Sequence, residues 1–215
     1  PHPWPLKIWN YIPGINEGEG DDELYRQFCL GRAEAVPIDP GGSPPLPAAT
    51  GIGTPLDEPS LQVYFLAGAL PGLDVENPRQ VSAWRYPRRY GPKSPLFSRA
   101  TIMRRNGSSQ FLISGTASIV GHQTHHENQV SNQLRESLQN VQSLLAEGHR
   151  LMGAAKARLG SDGILKVYIR HPKDYEVIRQ TLEAEAPPDI PRIYLKGDIC
   201  RANLLTEIDG IVNCL

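Results

Sequence analysis

The apolar positions of this chain follow two periods, and the alternation between them predicts its elements. From Glu127 to about Gly148, Val130, Leu134, Leu138, Val141 and Leu145 recur at spacings of four, four, three and four. That is the signature of an amphipathic helix with one buried face. GILKVYIRH then predicts a strand, DYEVIRQTLEAEA a second helix, and PRIYLKGDICR and LLTEIDGIV two further strands. Just upstream, RATIMRRNGSSQFLISGTASIV predicts a hairpin, because Asn106-Gly107 offers the two positive-φ residues of a type I′ turn. From Arg99 onward the order is β-β-α-β-α-β, an α+β layer with helices packed on one face of a mixed sheet.

The front of the chain is less regular. After a proline-rich entry, GDDELYRQFCLGRAEA sets Leu24, Phe28 and Cys29 on one side of a helix, with acidic residues in the first turn where the dipole favours them. PIDPGGSPPLP, from Pro37 to Pro47, predicts a surface loop, and the stretch from Pro71 to Pro95 repeated turns. PAATGIGT and LQVYFLAGAL read as strands paired around an EPS turn. Helix, strand, turn, strand is also how the later unit ends, so an internal duplication is expected. The expected division is a partial N-terminal lobe over 1–75, its first part lying upstream of Pro1, and a C-terminal catalytic domain over 76–215.

Composition narrows the function classes. The 22 basic and 23 acidic residues nearly cancel, so no basic field argues for nucleic acid or an anionic membrane surface. The apolar runs are too short to span a bilayer, and a cytoplasmic protein is expected. Cys29, Cys200 and Cys214 match neither a disulfide framework nor a zinc spacing. His122, His125 and His126 fit no helical ligand pair with a third ligand, so no metal is expected.

The candidate chemistry centres on Glu207, a carboxyl inside the otherwise largely apolar strand LLTEIDGIV. Apolar surroundings disfavour its charge and let it keep a proton near neutrality, as a general acid must. The plainer alternative is an edge-strand glutamate whose head reaches water. Asp209 would share its face, as a second acid or a hydrogen-bonded structural carboxylate. Cys200 and Arg201 lie close by in sequence; taken alone, Cys200 reads as a small buried hydrophobe.

Two sets of residues carry a resemblance. Gly91-Pro92-Lys93-Ser94, Ser114-Gly115, and Arg192 fifteen residues before Glu207 resemble the pattern of the YjgF/RidA-like fold. Over nearly the whole chain, IWNYIPGIN, YRQFCLGRAEA, AATGIGT, VYFLAG, ENPRQVSAWRYPRRYGPKSPLFSRA, SGTASIVGH and DICRANLLTEIDG resemble the chorismatase / 3-hydroxybenzoate synthase family. Lys93 stands where RidA-like enzymes carry a tyrosine, which speaks against imine deamination.

The resemblance implies a RidA-like mixed sheet and an enzyme that removes pyruvate from chorismate without a cofactor, giving 3-hydroxybenzoate and, in some relatives, 4-hydroxybenzoate. It implies Glu207 as the acid that protonates the enolpyruvyl ether, and Cys200 as the cysteine that accompanies 3-hydroxybenzoate formation. Chorismate carries two carboxylates, which bidentate arginines bind best. Arg201 and Arg99 are the candidates, with Arg32 and Arg192 behind them. Tyr90, Gly115, Thr116 and Ala117 are expected to shape the pocket, Gly115 as a strand-ending glycine that admits ligand to the backbone. Monomer or RidA-like trimer are the expected states. Hydrolysis to a dihydroxycyclohexadiene carboxylate and a non-catalytic binding module are the alternatives.

Overall fold

The computed structural model describes residues 2–36, 46–57, 60–105, 108–153 and 158–214. Its first strand, β1 (Trp4–Pro13), is absent from the sequence expectations. It runs between β2 (Ala48–Thr54) and β3 (Gln62–Gly68), parallel to the former and antiparallel to the latter. PAATGIGT and LQVYFLAGAL are therefore strands, as expected, but both pair with β1 and not with each other. Proline hid β1: a residue without an N–H argues against a central strand, yet Pro5 falls where the β1–β3 register shifts. Helix α1 (Leu24–Ala35) connects β1 to β2 and buries Cys29, while Asp21 and Asp22 occupy a separate 3-10 turn ahead of it.

The second sheet contains β4 (Leu73–Val75), β5 (Ala100–Arg105), β6 (Ser108–Ala117), β9 (Ile164–Ile169), β10 (Arg192–Lys196) and β12 (Thr206–Cys214), in the order β10-β9-β12-β6-β5-β4. β4 lies in the stretch read as turns. The expected hairpin forms between β5 and β6. Its Asn106-Gly107 turn lies outside the described residues, as do residues 37–45 of the proline-rich loop and residues 58–59 of the EPS turn. Between β6 and the long helix α2 (Val130–Met152), β7 (Ile119–Val120) and β8 (Gln123–Thr124) form a small ribbon. α2 and α3 (Tyr175–Glu185) cover one face of this sheet, where Leu134, Leu138, Ile178 and Leu182 pack with Val167 and Ile208. Five buried aliphatics along a 3.6-residue period commit α2 to that face.

The first sheet covers the other face, and its connectivity repeats part of the second. β1-α1-β2-β3 and β9-α3-β10-β12 are both strand, helix, parallel strand, then a third strand antiparallel to the first. Immediately after β10, β11 (Asp198–Ile199) leaves the second sheet and pairs antiparallel with β2 in the first. This switch carries the chain across the seam just before Cys200. Among the described residues no helix is long and apolar enough to cross a membrane.

Candidate active site

One irregularity decides which side chains face the seam. Between β6 and β12, Ile208 pairs with Thr116 but Gly210 pairs with Ile113, so Ser114 and Gly115 together oppose Asp209. This is a β-bulge on β6, one extra residue that re-aims the strand beyond it. Gly115 and Ala117 consequently line the cavity between the sheets, together with Glu207. Gly115 does not end the strand, contrary to expectation; it forms the bulge. Thr116 pairs with Ile208, which belongs to the helix-facing core, and its Oγ1 donates to the Ser114 carbonyl at 2.8 Å. It does not line the cavity, because one inserted residue reverses the in-out alternation.

The cavity has a volume of about 400 Å3, within the range of small-molecule sites. Glu207 forms its floor, paired in register with Ala117 on β6 and Tyr168 on β9. It is 4% exposed, and burial first and the Asp209 carboxylate second push it up to about 8, against the opposing pull of Lys7 and Arg99. The carboxyl is therefore protonated at neutral pH. Asp209, on the same face, is the structural carboxylate: its Oδ2 accepts from Thr50 Oγ1 at 2.8 Å and Trp9 Nε1 at 2.9 Å.

The cations come from separate loops. Arg99, immediately before β5, is anchored through Nη2 to the Val81 carbonyl and the Tyr86 hydroxyl, both at 2.8 Å, while its Nε is buried and unpartnered. Arg201 stacks over Tyr90 at 4.1 Å and Tyr86 at 5.3 Å and donates to the His122 carbonyl at 2.9 Å. Two guanidiniums, each held by protein partners, line one cavity, and such planar forks match the geometry of a carboxylate. Arg32 reaches only an adjoining recess that shares Glu207, Gly115 and Cys200. Arg192 is a correction: it lines neither space, and its Nη2 donates to the Pro187 carbonyl at 2.6 Å beyond the end of α3.

Cys200 lines the cavity next to Glu207, and burial, then the nearby Glu207 charge, push its thiol up to about 12. It is a neutral wall, not a nucleophile. Arg170 holds the loop that presents Cys200 and Arg201, donating to the carbonyls of Ile199 and Arg201 at 2.9 Å and of Leu204 at 2.7 Å. Gln133 of α2 adds bonds to Asn203 and Leu205.

Several lining residues were not expected from the sequence. Tyr25 and Arg26 come from α1, Phe97 and Tyr86 from the turns before β5. The aromatic and basic residues of AWRYPRRY gave a usable signal, since rings and guanidiniums recur there every few positions. His125 and His126 meet edge-on with ring centroids 6.0 Å apart, and His126 reaches Glu136, whereas His122 lies with Tyr90 and Arg89.

Comparison with known proteins accords with this geometry. The family model for chorismatases, FkbO/Hyg5-like, N-terminal, matches residues 1–67. A 3-hydroxybenzoate synthase of Streptomyces hygroscopicus is 38% identical over 96% of this chain and 63% of its own length. A chorismatase of Streptomyces rapamycinicus (strain ATCC 29253 / DSM 41530 / NRRL 5491 / AYB-994) is 39% identical over 98% of this chain and 64% of its own. A crystal structure of a chorismatase superposes with a TM-score of 0.86 at 38% identity, covering 98% of this chain and 64% of that one. The chain thus spans a little under two thirds of the length of these relatives. In sequence and in fold, over nearly its whole length, this chain is similar to the chorismatase family.

Proposed function

We propose that this protein removes pyruvate from chorismate and yields 3-hydroxybenzoate. The observation that carries the reading is Glu207, a carboxyl protonated at neutral pH on the floor of a cavity that also presents Arg99 and Arg201. Relatives bearing the names chorismatase and 3-hydroxybenzoate synthase supply the substrate class.

Each group has a task in that reaction. Arg99 and Arg201 take the two carboxylates, and the rings of Tyr90 and Tyr86 hold the Arg201 guanidinium in place. Glu207 gives its proton to the terminal CH2 of the enolpyruvyl ether, which becomes the methyl group of pyruvate and leaves an oxocarbenium ion. Buried between Asp209 and the cations, the acid delivers that proton without water reorganising around it. The neighbouring ring hydroxyl then displaces the pyruvyl oxygen and its proton returns to Glu207. The attacking oxygen's original bond to the ring then breaks as it takes that proton back, and the hydrogen on the carbon to which it is now bound passes to Glu207, which aromatises the ring. Chorismate becomes pyruvate plus 3-hydroxybenzoate, with no net water consumed.

The neutral thiol of Cys200 narrows the space beside Glu207, excluding the water that would otherwise add to the cation and give a dihydrodiol. A direct test incubates the protein with chorismate, quantifies pyruvate, and identifies the ring product by mass and retention, with Glu207→Gln alongside. Pyruvate with 3-hydroxybenzoate, lost in the variant, supports the reading. Absence of pyruvate from folded protein removes it.

A further inference from the structure

Beneath Glu207 lies a buried charge that the proposed reaction does not use. Lys7 of β1 is fully buried. Its ammonium donates to Thr50 Oγ1 at 2.8 Å and the Ile113 carbonyl at 2.6 Å, and stands 3.8 Å from Asp209 Oδ2. Thr50 passes the contact on, donating to the same Asp209 oxygen at 2.8 Å, which also accepts from Trp9 Nε1 and, at 3.4 Å, from the Tyr168 hydroxyl. The cluster draws on β1 and β2 of one sheet and on β6, β9 and β12 of the other, so it forms only where the two sheets meet.

Taking an ammonium and a carboxylate out of water is costly, and well-packed apolar side chains commonly stabilise a core at least as well. Cohesion of the seam is thus a poor reason for this pair. Its position supplies a better one. Asp209 lies two residues from Glu207 on the same face of β12, and alone would place an unbalanced negative charge beside the acid. Lys7 opposes it from the facing sheet.

We propose that Lys7 and Asp209 are positioning residues, a pair of opposed charges that act through Glu207 and together fix how tightly its carboxyl holds its proton. The other groups facing Glu207 are Tyr25 from α1, Cys200 after β11, Tyr168 from β9 and Arg99 before β5; Lys166 of β9 acts on Lys7. Arg201, Arg26, Arg89 and Glu23 line the same cavity. Of the charges that bear on Glu207, Arg99 opens to the substrate side, and Lys7 and Asp209 alone sit behind it. Removing Lys7 should tighten the hold on the proton, and removing the Asp209 charge should loosen it.

The catalytic consequence rests on Glu207 being the acid, so the test has a readout independent of turnover. Infrared titration follows the protonated carboxyl band that is missing in Glu207→Gln, without substrate. Lys7→Met should raise its midpoint by about one unit and Asp209→Asn should lower it by a similar amount. The double variant should return toward the wild type. Opposite shifts in folded variants support the pair; no shift, or shifts of one sign, overturn it. If Lys7→Met does not fold, Asp209→Asn decides alone, since a downward shift is expected and any other result refutes the proposal. With chorismate, the alkaline limb of kcat/KM should move as the band does. Expected infrared shifts without any pyruvate would remove the proposed reaction and leave the charge pair standing.

Discussion

Gly115 and Glu207 share one space: a Cβ at position 115 would collide with Glu207 Oε1 and stand 2.8 Å from its carboxyl carbon. The absent side chain is what lets the acid lie flat against the β6 bulge. Gly115→Ala should displace the carboxyl by about an ångström and cost roughly 100-fold in kcat, with little change in Tm. Pyruvate release and a thermal melt monitored by circular dichroism check both halves; full activity would mean that the carboxyl has another resting place.

Burial of Glu207 makes stability depend on pH with a definite sign. In the unfolded chain the carboxyl ionises near 4.5, whereas in the folded protein it keeps its proton to about 8. Between those values the unfolded state binds fewer protons, so stability falls as pH rises and levels off above about 8. Glu207→Gln lacks this penalty. Denaturant titrations from pH 5 to 8 should show the variant gaining on the wild type at each step.

Cys200 should behave as an unreactive thiol. Raised to about 12, it has little thiolate at any working pH. Iodoacetamide at pH 8 should leave it unmodified in the folded protein and alkylate it after denaturation, as read by peptide mass spectrometry. Cys200→Ala should retain pyruvate release and divert part of the product to the dihydrodiol. Unchanged 3-hydroxybenzoate with no dihydrodiol would refute water exclusion by the thiol.

Arg170 does not line the cavity but fixes the loop that carries Cys200, Arg201 and Ala202, which do. Its fork spans three carbonyls, Asn16 and Asp198, a geometry an ammonium cannot reproduce. Arg170→Lys should lower kcat/KM by roughly tenfold through misplacement of Arg201, most of it in KM.

Thr116 offers the complementary control. Facing the helices and not the cavity, its hydroxyl donates to the Ser114 carbonyl within β6. Thr116→Val should cost about 1 kcal/mol of stability and leave the kinetics within about twofold of wild type. A large kinetic loss with intact fold would return Thr116 to the site.

The sequence by itself determined the elements with strong local periods and the chemical type of the site. α2 was legible because five aliphatics repeat on one face, and β9, α3, β10 and β12 because their patterns run uninterrupted between turn residues. Glu207 was conspicuous because an acid among the aliphatic residues of a strand violates its surroundings. Arg99, Arg201, Tyr90 and Ala117 followed from the chemistry of a dianionic substrate and from family resemblance, and they do converge on one cavity. Only the tertiary structure decided partners and faces. Nothing local says that β1 separates β2 from β3, because strand pairing is chosen by contacts distant in sequence. Nothing local marks the bulge at Ser114–Gly115, and one extra residue sends Thr116 to the opposite face. Lys7 is the clearest case. It lies in the proline-rich entry, which carried no expectation of a strand, and it is buried because the second sheet brings Asp209 against it from the far end of the chain. Periodicity reports which face of an element is dry; it carries no information about the charge that another element will place there.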